Sequence, residues 1–167
     1  MTFGGDAEFV RSLRAPISSA AESIRLVCFV NAHTESGEAT YRTILVSRSK
    51  QATLDQLDGV FARCSGENWD GYSAAPVTPE AYQKAKQLIL SLPANLPLPE
   101  VSAEPDGHVA LEWYRSPRHT LSVSVSPSAE LHYAALLPGP SKAYGTEPFS
   151  GDVPRRILEL IKGAFTA

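Results

Sequence analysis

The residues with chemical potential fall into two groups. The first is aromatic and cationic: Trp69, Tyr72, Trp113, Tyr114 and Tyr144, with Arg115 and Arg118. Trp, Tyr and Arg are the types enriched at binding hot spots, because each brings a large contact area with a polar handle. They come from three separate stretches. If these converge at one end of a sheet they form a protein-binding surface, with Asp70 and Glu147 as its acidic members. The competing reading of Trp69 is plainer: a large aromatic plugging one end of the core, with Tyr72 packed beside it. The second group is the carboxylates Asp70, Glu112 and Glu147. A positioned carboxylate can move a proton in a small hydrolase or transferase, with Asp70 or Glu112 as the acid–base group. Glu112 lies between Leu111 and Trp113 on a strand pattern. On a covered face it would need Arg115 or Arg118 as a partner; on an open face it needs none.

Other chemistries find little support. There is no Gly-x-Ser-x-Gly elbow, and neither Cys28 nor Cys64 sits in a nucleophile signature or a metal spacing. Of the four histidines, His33 and His108 fall in turn-like segments, where a solvated imidazole needs no special role. His119 and His132 could face each other across adjacent strands. As a metal pair they would need a third ligand such as Glu112 or Glu130, and a cross-strand polar pair is the simpler reading. Gly139-Pro140-Ser141-Lys142 lacks P-loop spacing, and Pro140 removes a needed N–H. No catalytic residue, metal ligand or cofactor is therefore assigned.

At 167 residues and 43% hydrophobic content the chain can build one real core. A net charge of −3 argues against a general nucleic-acid binder, and the basic turn around residues 115–119 is too sparse to change that. No run of about 18 apolar residues occurs, so no membrane span is expected. The first residues lack the basic-then-apolar layout of a signal peptide, and both cysteines read as buried hydrophobes in a reducing cytoplasm.

The elements that must position these groups follow from periodicity. Residues 1–22 read as a loose arm ahead of one domain over 23–167. Strand formers at 24–30 and 41–46 flank a polar connector and predict a β-hairpin over 24–48. Leu54, Leu57, Phe61 and Cys64 make one stripe of a helix over 51–64. Thr78-Pro79-Glu80 is a strong helix entry, and Ala81, Ala85, Leu88, Ile89 and Leu92 give that helix an apolar face until Pro93. Residues 100–137 alternate cleanly, above all Leu121, Val123 and Val125 against Ser122, Ser124 and Ser126, which predicts an antiparallel meander with one wet face. Residues 138–150 read as an irregular loop. Asp152 and Pro154 open a last helix carrying Ile157, Leu158, Ile161 and Phe165. The fold class is α+β: an antiparallel sheet, which the hairpin is expected to join, with two to three helices mainly on one face.

Glu67-Asn68-Trp69-Asp70-Gly71-Tyr72, Pro76-Val77-Thr78-Pro79, Leu111-Glu112-Trp113-Tyr114 and Tyr144-Gly145-Thr146 together resemble a family of small bacterial proteins of uncharacterised function, over roughly residues 67–150. The resemblance implies a bacterial, cytoplasmic accessory protein and carries no catalytic residue with it. The expected activity is that of a non-enzymatic binding module of the toxin-neutralising or phage–host inhibitor type. Its expected partner is another protein, or a second copy of the chain, through Trp69, Asp70, Tyr72, Trp113, Tyr114, Arg115, Arg118, Tyr144 and Glu147.

Overall fold

The computed structural model describes residues 25–31 and 40–165, with side chains from Ser47 onward. The chain divides into two compact units after Arg48, inside the span expected to form one domain. The first contains β1 (Arg25–Asn31) and β2 (Thr40–Val46), paired antiparallel from Arg25↔Val46 to Asn31↔Thr40. This expected hairpin is a two-stranded sheet of its own and does not pair with the main sheet. The arm over 1–22 and the connector His33–Glu38 lie outside the described residues.

The second unit runs α1 (Arg48–Cys64), α2 (Pro79–Ser91), β3 (Glu100–Ala103), β4 (Val109–Ser116), β5 (His119–Val125), β6 (Glu130–Leu136), β7 (Lys142–Pro148) and α3 (Arg155–Phe165). The strands form a five-stranded antiparallel meander in sequence order. The α+β reading holds, with three helices. One strand was missed. Residues 142–148, expected to be an irregular loop, are β7, paired to β6 from Glu130↔Pro148 to Leu136↔Lys142. Its Lys, Gly and Pro suit an edge strand that must not recruit another chain, and that composition hides it in the sequence.

Side chains alternate across each strand, so the register assigns every residue to a face. Val109, Leu111 and Trp113 on β4, Leu121, Val123 and Val125 on β5, and Leu131 and Ala135 on β6 are buried. Helices α2 and α3 lie against β4 and β5 and supply Leu88, Ile89, Ile157 and Ile161 to this layer. Each such side chain stabilises the fold by roughly 1.5–3 kcal/mol. Thr78 caps α2, its hydroxyl accepting from the Ala81 N–H at 3.2 Å, with Pro79 at the first turn. Gly145 sits opposite Tyr133, and a Cβ there would lie 2.9 Å from the phenol oxygen, so the glycine makes room for the ring.

Helix α1 joins α2 at two places. Tyr82 donates to Asp58 at 2.6 Å while its ring meets Phe61, the centroids 4.6 Å apart. Lys50, only 5% exposed, donates to the carbonyls of Leu92 at 2.6 Å and Leu90 at 3.2 Å, at the C-terminal end of α2. A cation there complements the negative end of the helix and satisfies carbonyls that have no helical donor. Burial lowers the Lys50 pKa below its usual 10.5. Lys50→Met keeps the stem and removes the donors, and is expected to cost about 2 kcal/mol in urea denaturation. Just below pH 10.5 the folded chain holds fewer protons at Lys50 than the unfolded chain. Wild-type stability relative to Lys50→Met should therefore rise as pH approaches 10.5 from below.

Candidate functional site

The face of the sheet opposite the helices carries the candidate site. Three cross-strand rows define it. One row runs Ser102, Ala110, Ser124, His132 and Thr146. The next runs Glu100, Glu112, Ser122, Ala134 and Tyr144, and the third Tyr114, Thr120, Leu136 and Lys142. The centre is floored by small residues, Ala110, Ser122, Ser124 and Ala134. Tyr144 is 82% exposed, Tyr114 60% and Leu136 39%, so three large side chains stand clear of that floor. Arg115 and Arg118 are exposed where β4 turns into β5, beside a register irregularity between Tyr114 and Ser116.

At the other end of this face lies a polar cluster built on the turn between β3 and β4. The Glu104 N–H donates to the His108 carbonyl at 2.9 Å, and the Gly107 N–H to the Glu104 carbonyl at 3.0 Å. The Asp106 carboxylate accepts the His108 N–H at 3.1 Å. Glu104 and His108 are thereby set opposite each other, on the same face as Ser102 and Ala110. The Ser124 hydroxyl donates to Glu104 and lies 3.0 Å from His108 Nδ1, which is itself 3.5 Å from Asp106 Oδ2. The His132 ring stacks on His108 with centroids 6.0 Å apart and planes 10° from parallel, and its Nδ1 is 2.9 Å from the Thr146 hydroxyl. His119 does not face His132; its Nδ1 is 2.9 Å from Ser116 Oγ at the far end of the sheet.

The aromatic stretch over 67–77 is a self-locked loop against this same turn. Asn68 and Ser73 adopt positive φ, as does Gly71. The Asp70 carboxylate accepts the N–H groups of Tyr72 at 2.7 Å and Ala74 at 3.1 Å. Asn68 Oδ1 accepts from Ser73, and Trp69 Nε1 donates to the Ala75 carbonyl at 2.9 Å. The Ala75 N–H donates to Pro105 and the Val77 N–H to Cys64, which pins the loop between the β3–β4 turn and the end of α1. Half-buried Trp69 borders an open groove with Val60, Arg63, Cys64 and Val101. Burial pushes the Cys64 thiol up, with Arg63 acting the other way, so this is no activated nucleophile.

The expected site residues do not converge at one end. Trp69, Asp70 and Tyr72 sit beside the β3–β4 turn, whereas Tyr114, Arg115 and Arg118 sit at the far end of β4. Residues 109–114 alone span about 17 Å of strand. Trp113 is buried at 2% exposure, its Nε1 donating to the Pro97 carbonyl at 2.8 Å, so it contributes core and no contact surface. Glu147 is half-buried on the helix side of β7, away from Tyr144. Glu112 is exposed on the open face, so the conditional need for an arginine partner does not arise. The cluster at Glu104, Asp106, His108 and Ser124 was missed. Its signal was three donor residues at alternate positions around Pro105-Asp106-Gly107, a turn that folds the first onto the last.

No protein-family model, curated protein or solved structure matches this chain. The site must therefore be read from its own geometry. Among the described residues no helix is long and apolar enough to cross a membrane.

The contact of Gly107 with the aromatic loop is the joint that fixes the cluster. Gly107 has φ +86°, and a Cβ there would lie 2.7 Å from the Pro76 carbonyl oxygen. Gly71 has φ +78° and open space around it. Gly71→Ala should cost about 1 kcal/mol from backbone strain alone. Gly107→Ala adds a backbone clash and should cost about 3 kcal/mol. Thermal unfolding of the two variants side by side checks the difference.

Proposed function

We propose that the chain is a non-enzymatic protein-binding module that acts by occupying a partner protein with the open face of its five-stranded sheet. The observation that carries this reading is the pair Tyr114 and Tyr144, 60% and 82% exposed on one face over a floor of small residues. An exposed tyrosine costs hydration while free and contributes most when a partner dries it. The small floor lets a partner side chain reach the sheet between the two rings. Arg115 and Arg118 at the adjacent tip add donors for carboxylates or carbonyls at the rim of such a contact. An accessory or regulatory role in a bacterial cell, of the kind that neutralises a toxin or blocks a phage or host complex, fits a module with this design.

The carboxylate chemistry expected as the alternative finds less support. Asp70 spends its Oδ1 on two backbone N–H groups that hold the loop, a structural use of the group. Glu112 stands exposed beside Ser122 and Glu100, with no imidazole in its cross-strand row.

The test is affinity purification of the full chain from its native cell, followed by calorimetry with the partner recovered. The double variant Tyr114→Ala/Tyr144→Ala should weaken that partner's binding at least about a hundredfold, near 3 kcal/mol. Tyr72→Ala, on the loop at the other end, should change it by less than about threefold. A partner held equally by the double variant would contradict the reading, as would recovery of no stoichiometric partner.

A further inference from the structure

The polar cluster at the β3–β4 turn has no part in the protein contact proposed above, and its composition has its own meaning. We propose that Glu104, Asp106 and His108 form a binding site for a divalent transition-metal ion of the zinc type. Each of the three residues offers a ligand atom, and these atoms all lie within 4.8 Å of one another. Donors around one zinc ion at about 2.0–2.2 Å stand somewhat over 3 Å apart, so small side-chain rotations close the set.

Three features favour an ion over a chance surface grouping. The set is mixed, with imidazole nitrogen beside two carboxylates, whereas a solvated acidic patch carries oxygen alone. Nitrogen donors favour zinc, nickel or cobalt over magnesium and calcium, which take oxygen. His132 on β6 stacks on His108 and so fixes the plane of that ring, while its own Nδ1 lies 2.9 Å from the Thr146 hydroxyl. The backbone beneath is already set, because Gly107 is pressed against Pro76 and the turn closes on its own hydrogen bonds. An ion would therefore meet a turn that does not have to fold around it.

The Nδ1 edge of His108 faces both Asp106 and the Ser124 hydroxyl that donates to Glu104. An ion on that edge binds the neutral tautomer of His108 whose hydrogen is on Nε2. Three protein donors leave at least one coordination position for water or for a group from a bound partner.

The experiment is calorimetric titration of zinc chloride into the tag-free full chain after chelator treatment, with calcium and magnesium chloride titrated separately. One zinc ion should bind with a Kd of roughly 10 μM or tighter. His108→Ala and Asp106→Asn should each weaken it at least about tenfold. Asp106→Asn retains an oxygen for the His108 N–H, so the turn survives even if His108→Ala fails to fold. His119→Ala, at the opposite end of the sheet, should leave the titration unchanged. Zinc should also raise the melting temperature of the wild type and not that of Asp106→Asn. The proposal is overturned if the wild type takes up no zinc, if Asp106→Asn binds it undiminished, or if calcium or magnesium binds equally well. None of these readings depends on a protein partner.

Discussion

Everything in the second unit depends on the strict alternation of the meander. The register runs unbroken through Val101, Leu111, Val123, Tyr133 and Gly145 on one face and through Ser102, Ala110, Ser124, His132 and Thr146 on the other. A slip of one residue in any strand would exchange its two faces and place serines and a histidine under α2 and α3. The apolar face takes the helices and pays for the ordering of the whole unit. The other face is then released from packing, and its side chains can answer to a partner or an ion instead.

The aromatic motif that dominates the sequence turns out to be the clamp of this arrangement. Asp70, Asn68 and Trp69 direct their polar atoms inward, to the N–H and carbonyl groups of residues 72–75. The loop so formed presses Pro76 against Gly107 and bonds Ala75 to Pro105. A polar loop that satisfies its own backbone can sit at the edge of a core. Its effect at a distance is on the β3–β4 turn, which it holds, and through that turn on Glu104 and His108. The side chains of Asn68, Trp69 and Asp70 thus hold the loop that positions this turn.

The helices and four of the five meander strands were legible because period 3.6 and period 2 are direct consequences of geometry. Thr78-Pro79 and Pro93 even placed the ends of α2 to within about a residue. β7 was not legible: Gly145 is explained only by the Tyr133 ring across from it, a contact no local pattern contains. The site was half legible. Tyr114 falls on the wet face by parity alone, which also sends Trp113 inward; Tyr144 and Glu147 take their faces only from the pairing of β7 with β6. Which end of the sheet a loop visits is a tertiary fact, and so the separation of Tyr72 from Tyr114 could not be read from spacing. His108 was visible as a turn residue; that Glu104, Ser124 and His132 lie beside it depends on the closing of the β3–β4 turn and on pairings with β5 and β6.

The central claim is that the even-numbered face of the meander is not needed to hold the fold and is therefore free for recognition. The most direct measurement is the stability of the full chain carrying Tyr114→Thr, Leu136→Thr and Tyr144→Thr together, by urea denaturation. Threonine keeps the strand preference while removing the exposed apolar area. Retention of stability to within about 1 kcal/mol is the expected result. A loss above about 3 kcal/mol would contradict the claim, because it would mean that the face is part of the protein's own interior.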